Sequence, residues 1–379
     1  MKTILFVSNG HGEDLNSSTV LAALRDRRPD WHLLAAPLVG EGQAYRKLAV
    51  PVITPTHKMP SGGFIYMDNR QLWQDLRAGL LNQTWQQWQT LRRQKVDGVV
   101  AVGDTVAIAG ALLTGAPFVS FLVSLSARYT GRLHLPFPVL SQQRHRRCRL
   151  ILARDAFTAK LLQARGYPAE FAGYPILDLL QVERATLEKT PDRPLVALLP
   201  GSRLPEAAHN FALLLQMVTQ VPSPMVFWAA LVPGLESYLP AVAPDWHWDG
   251  KTLRRERHEI HCPPQAFAEI LTRCDAVVGM AGTAIEQAVG LGKPVLQIPG
   301  AGPQFTYRFA EAQMRLLGPS VQTVGTGPAT PETLTLAAQR LVQILGDRDY
   351  LARCPAWGIE SVGTPGGTQR IVNRLLDVL

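Results

Sequence analysis

Asp275 to Leu296, DAVVGMAGTAIEQAVGLGKPVL, carries the residue pattern best suited to holding an anion. Ala276 to Val278 is a short apolar run of the kind that forms a buried parallel strand. Gly279, Gly282 and Thr283 break it just before a helical run over Ala284 to Leu291. A strand that turns through glycine into a helix leaves the first N–H groups without intrahelical partners, at the positive end of the helix dipole, where phosphate binds. Glycine at 282 lets that phosphate come close to the backbone. Glu286, on the first helical turn, is placed to accept both hydroxyls of a ribose. A plain βαβ unit whose glycines serve only close packing would read the same way. Earlier in the chain, Gly201, Ser202 and Arg203 follow the strand-like Leu195 to Leu199 and Pro200. A guanidinium there can stabilise a leaving diphosphate, a task otherwise often given to a divalent metal. Gln304, in the loop GPQFTYRF, and Gln313 follow the strand next to the glycine turn. Their amide side chains can hold the hydroxyls of a ligand without carrying charge.

A second group lies near the N-terminus. The strand-like KTILFV runs into SNGHGEDLNSS, read as a polar loop that opens a helix through Val20 to Leu24. Gly10 and Gly12 can bring the backbone close to a ligand, and Asp14 or Asn16 can cap the helix. The spacing is not G-x-G-x-x-G, so dinucleotide binding is not indicated. A further strand, Val96 to Val102 with DGVVAV, ends at Gly103-Asp104-Thr105 before a helix of small residues. A carboxylate just past the C-terminal end of a strand sits where ligands gather in open α/β sheets, although an N-cap looks the same locally. Proton acceptors on this side are thus His11, Glu13, Asp14 and Asp104.

The elements that position these groups alternate as strand, loop and helix, twice over. The alternation predicts an α/β protein of two doubly wound, Rossmann-like domains with strand-end loops lining a central cleft. The expected boundaries are residues 1–168 for the first domain and 169–364 for the second. The last helix, within 365–379 after GTPGG, is expected to fold back on the first. Pro168 to Pro194 reads as a hinge region. At 379 residues with 46% hydrophobic content, the chain is long enough for two ordinary cores.

Cysteines 148, 262, 274 and 354 show no framework spacing, which fits a reducing cytosol without structural disulfides. His258 and His261 beside Cys262 lack a matched second group, so no metal is expected. Asp347-Arg348-Asp349 is expected to cap a helix rather than bind metal. A formal charge of +8 and a pI near 9.5 favour an anionic partner. The basic residues form no aromatic-interleaved stripe, so nucleic acid is not expected. No run reaches the roughly 18 apolar residues of a membrane span, and no signal peptide is expected. A helix or helix pair over 71–94 carries Leu72, Leu76 and Leu80 with Trp73, Trp85 and Trp88. Core packing is its commoner use. With Met59, Phe64, Ile65 and Met67 before it and Arg92, Arg93 and Lys95 at its end, it also fits a surface that dips into lipid headgroups. The cluster at Arg144, Arg146 and Arg147 would assist electrostatically.

ALLPGSRLPE at 197–206, the AGTAIEQAVGLGKPV block, FAGYPILD at 171–178 and the GHGED loop, taken together, resemble the lipid-A-disaccharide synthases, glycosyltransferases of the GT-B fold. The resemblance runs in family order over most of the chain. It is better in the half that would hold the donor. It implies transfer of a sugar from a UDP-sugar, with inversion, to a lipid-linked acceptor at the cytoplasmic membrane face, by a peripherally bound protein with no cofactor. The family's A-G-E-A-S-G-D is here S-N-G-H-G-E-D, and its Asp-Ala-Pro-Asp is Gly103-Asp104-Thr105. Asp104 matches an acidic position of that segment and is the leading base, with His11 next.

Overall fold

The computed structural model describes residues 1–56, 80–182, 187, 192–300, 302 and 305–379. Two compact units divide the chain. One comprises Met1–Leu179 with Thr364–Leu379, the other Leu180–Gly363.

The first unit holds strands β1 (Thr3–Ser8), β2 (His32–Pro37), β3 (Gly98–Val102), β4 (Phe118–Phe121), β5 (Cys148–Leu152) and β6 (Ala169–Glu170), all paired in parallel in the order β2-β1-β3-β4-β5-β6. Every residue of TILFVS but the first is buried, as is all of GVVAV. Helices on both faces of a parallel sheet demand such unbroken apolar runs. The second unit holds β7 (Leu195–Leu199), β8 (Val226–Ala229), β9 (His247–Trp248), β10 (Thr252–Arg255), β11 (His258–His261), β12 (Ala276–Gly279), β13 (Val295–Gln297) and β14 (Val321–Thr323). Their order is β14-β13-β12-β7-β8-β11-β10-β9. Pairing is parallel from β14 to β11 and antiparallel at the β11-β10-β9 edge. The polar stretch around RRERHEIH is therefore an edge hairpin, turning at Glu256 with φ of 51°.

The domain boundary lies at 179/180, not at the expected 168/169. The reason is local to FAGYPILD. Ala169–Glu170 closes the first sheet, and the Asp178 carboxylate caps the final helix, Gly367–Val378, accepting from the N–H groups of Gly366 (2.5 Å) and Thr368 (2.7 Å). Backbones nearly touch there: a Cβ on Gly367 would lie 2.8 Å from the Tyr174 nitrogen. Residues that read as a hinge are the seat of the last helix.

Helix Leu80–Arg93 is turned the other way from the core-packing expectation. It buries Gln87 and Leu91, the amide of Gln87 donating to the carbonyls of Leu38 and Pro55. Leu81 (72% exposed), Trp85 (61%) and Trp88 (39%) share another face, at i, i+4 and i+7. Met59, Phe64, Ile65, Met67, Leu72, Trp73 and Leu76 lie outside the described residues.

Candidate functional site

Each unit gathers its candidate residues at the C-terminal ends of its own strands. In the second unit β7 has β8 on one side and β12 on the other, so the strand order reverses direction between β7 and β12. Ligands of open α/β sheets bind at such a switch point. The loops leaving these two strands are Pro200-Gly201-Ser202-Arg203 and Met280-Ala281-Gly282-Thr283, and the register pairs Leu199 with Gly279. Gly201 has φ of +109°, and a Cβ on it would fall 3.1 Å from the Met280 carbonyl oxygen. Sequence-distant motifs are thus neighbours.

The glycines of the second loop have separate roles. A Cβ on Gly279 would fall 2.7 Å from the Ile285 Cδ1 and 3.2 Å from the Leu199 Cβ, so close packing favours glycine there. A Cβ on Gly282 would meet no atom of the described residues within 4 Å. Gly282 is the N-cap of helix Thr283–Gly290 and supplies no side-chain cap. Close packing therefore explains Gly279 and leaves Gly282 unexplained. Thr283 is exposed and Glu286 half-buried on the first turn, while Ser202 and Arg203 are exposed.

Two enclosed amides hold the carbonyls of these loops. Asn210, fully buried on helix Glu206–Val218, donates to the Pro200 carbonyl at 3.2 Å. Gln313, on helix Tyr307–Leu317, donates to the Gly282 carbonyl at 3.2 Å. Gln313 is only 6% exposed and braces the turn through this carbonyl. Gln304 lies outside the described residues.

In the first unit the switch point falls between β1 and β3. The polar loop after β1 is shorter than expected: helix His11–Arg27 begins at His11, with Gly10 as its N-cap. Neither Asp14 nor Asn16 caps it. Asn9 and Asp104 join the two strand ends, the Asn9 amide donating to Asp104 Oδ1 at 2.6 Å. The same oxygen accepts the Val106 N–H at 2.9 Å, so Asp104 is the N-cap of Thr105–Thr114. Gly103, at φ of +134°, has its would-be Cβ position filled by the Asn9 side chain. The Glu13 carboxylate folds back over Gly10, whereas a Cβ on Gly12 would meet nothing among the described residues within 4 Å. His11 is exposed, its ring against Gly40.

Asp14 is 3% exposed and belongs to the interior. Its Oδ1 accepts the Ser8 hydroxyl at 2.6 Å, and Ser8 Oγ lies 2.6 Å from the hydroxyl of the fully buried Tyr45. Burial pushes the Asp14 carboxyl up to about 7, the Ser8 hydrogen bond pulling it back and the Glu13 charge adding to the rise. Burial also drives the Tyr45 phenol upward. Asn9, Tyr45, Asn210 and the bracing role of Gln313 escaped the sequence reading. Only Asn9, next to a strand end in a polar loop, carried a local signal.

His258 and His261 are three apart on β11, so they leave opposite faces of the strand, and burial pushes the adjacent Cys262 thiol up to about 12. Asp347 accepts the Tyr350 N–H at 2.9 Å, the expected cap.

No family model matches the chain. It is 28% identical over 222 residues to the lipid-A-disaccharide synthase of Azotobacter vinelandii, covering 53% of this chain and 56% of that one. It is 30% identical over 158 residues to the synthase of Pseudomonas syringae pv. tomato, covering 39% of each. The chain thus spans about half the length of the curated relatives it matches. Among solved structures, the calicheamicin glycosyltransferase CalG4 superposes with a TM-score of 0.66 at 16% identity, over 100% of this chain and 98% of that one. MurG of Acinetobacter baumannii gives 0.62 at 14% over 100% of both. The chain has the GT-B fold. The UDP-GlcNAc 2-epimerase of Neisseria meningitidis, bound to UDP-GlcNAc, shares that fold, with a TM-score of 0.55 at 14% identity over 99% of this chain and 100% of that one.

Proposed function

We propose that this protein is a glycosyltransferase that moves a sugar from a UDP-sugar, with inversion, to a lipid-linked acceptor at an anionic, cytoplasmic membrane surface. The observation that carries the proposal is the Gly282 turn. It is a helix N-terminus whose N-cap residue, Gly282, supplies no side-chain cap and has no packing need to be glycine, beside an arginine loop at a switch point. Phosphate oxygens accept from the first N–H groups of that helix, Arg203 takes up charge as the diphosphate leaves, and Glu286 accepts the ribose hydroxyls. The names of the partial relatives support a sugar transfer on lipid, and the UDP-GlcNAc held by the epimerase neighbour supports a UDP-sugar donor.

Displacement with inversion needs a base within about 2.6–3.2 Å of the acceptor hydroxyl. Asp104 takes that role in this proposal, with the Asn9 amide fixing its carboxylate. His11 is the alternative base, and Gly10, Gly12 and Glu13 line the acceptor approach. Calorimetry with UDP tests the donor half: Glu286→Ala and Arg203→Ala should each weaken binding, by roughly 1.5–3 kcal/mol for a charged hydrogen bond. Unchanged affinity in both variants would remove the assignment.

A further inference from the structure

Gln313 and Gln297 are odd residues for the interior of a Rossmann-like unit. They are 6% and 4% exposed, and Met or Leu would fill such positions without the cost of burying an amide. Their hydrogen bonds run in one direction. The Thr323 hydroxyl, at the end of β14, donates to Gln297 Oε1 at 3.2 Å; Gln297 Nε2 donates to Gln313 Oε1; and Gln313 Nε2 donates to the Gly282 carbonyl at 3.2 Å. A flipped Gln313 amide would set oxygen against oxygen at Gly282, so each link fixes the orientation of the next.

We propose that Thr323, Gln297 and Gln313 form a positioning relay that sets the peptide plane between Gly282 and Thr283, and thereby aims the Thr283 N–H at a diphosphate. In a trans peptide the carbonyl and the following N–H point in opposite directions. Holding the Gly282 carbonyl on one side of the peptide plane therefore turns the Thr283 N–H to the other, at a residue where an added Cβ would meet no atom of the described residues within 4 Å. Gly282 has no side chain to restrain this plane. Its carbonyl is held instead by the Ile285 N–H at 3.0 Å from within the helix and by Gln313 from outside it. In this proposal both glutamines act through Gly282 and not by contact with the nucleotide. The relay rests on the proposal that the diphosphate sits at this turn.

Calorimetry with two probes, UDP and uridine, separates a positioning role from general loosening of the core, because only UDP has the diphosphate. Gln313→Met keeps length and shape but donates nothing. It should lower UDP affinity roughly tenfold, the weight of about one hydrogen bond to a charged group, while uridine affinity moves less than about twofold. Thr323→Val, which touches neither Gly282 nor Gln313, should lower the same UDP-to-uridine ratio by a smaller factor, roughly threefold, through loss of polarisation along the chain. Gly282→Ala serves as the reference. If Gly282→Ala loses UDP preference and both Gln313→Met and Thr323→Val keep it, the relay is overturned and the diphosphate site stands. If wild type and Gly282→Ala bind UDP equally, the site itself is wrong and the relay falls with it. Should Gln313→Met not fold, Thr323→Val decides: a lowered ratio supports the relay, and an unchanged one overturns it.

Discussion

At the scale of single residues, two changes probe the two strand-end groups. Gly282→Ala adds a methyl where a Cβ would have no neighbour among the described residues within 4 Å, so the melting temperature should stay within a few degrees while UDP affinity falls at least tenfold. A variant that melts early and binds normally would make Gly282 a packing residue after all. Asp14 is tested by pH. Its folded value of about 7 lies above the unfolded 3.8, so its stabilising effect is complete below about pH 4 and lost as pH rises to about 7. That loss is on the order of 4 kcal/mol for a shift of this size. Asp14→Asn cannot titrate, so its melting temperature should gain on wild type between pH 4 and pH 7 and hold a constant lead above. Parallel curves would mean that Asp14 is charged in the fold without cost. The Gly282 turn was legible in the sequence because its chemistry is local: strand, glycine and helix start adjoin. The state of Asp14 was not, because Tyr45 belongs to another helix and only the packed interior brings it to Ser8. Asp104 reads in the sequence as a cap or a base, and the cap is what the structure contains. Asp104→Asn separates them, because asparagine caps about as well but takes no proton. Turnover should fall by roughly 10²–10⁴-fold at unchanged melting temperature and UDP affinity. Near-normal turnover, with a large loss in His11→Ala, would move the role to His11.

Secondary-structure elements were read well where both faces are apolar and poorly where an element turns on its partners. β1, β3, β7 and β12 stand where their unbroken apolar runs put them. The β9–β11 edge was missed because such short strands, with charged residues between them, have too little periodicity to register. Helix Leu80–Arg93 shows why a tryptophan stripe does not decide which face is buried: Gln87 satisfies two loop carbonyls, and this fixes the rotation of the helix. The outward face, Leu81, Trp85 and Trp88, together with exposed Arg92 and Arg93, fits the headgroup region of an anionic bilayer. Sedimentation with anionic vesicles should fall for Trp85→Ser with Trp88→Ser, and should weaken with salt, since each basic group contributes on the order of 1 kcal/mol. Binding that ignores lipid charge, salt and both tryptophans would contradict a membrane role. Asp178 offers a separate check on the final helix. Asp178→Ala removes a cap worth roughly 0.5–2 kcal/mol, so amides of 367–378 should exchange hydrogen faster while those of β7 and β12 do not change.

At the scale of the whole molecule, two Rossmann-like units and a last helix returned to the first were legible because the strand-loop-helix alternation occurs twice and GTPGG permits a sharp return. The boundary is displaced because Glu170 and Asp178 are bound to partners remote in sequence, Arg374 and Gly366, which composition cannot report. A GT-B fold serves both glycosyltransferases and UDP-sugar epimerases, so fold alone leaves the reaction to experiment. The most direct measurement is mass spectrometry of lipid extracts incubated with the protein and a panel of UDP-sugars, with protein-free and Glu286→Ala controls. Transfer predicts a lipid heavier by one sugar residue, formed with one UDP-sugar, accompanied by UDP release and lost in Glu286→Ala. Conversion of the UDP-sugar to an epimer without any acceptor, or no turnover at all with UDP bound, would contradict it.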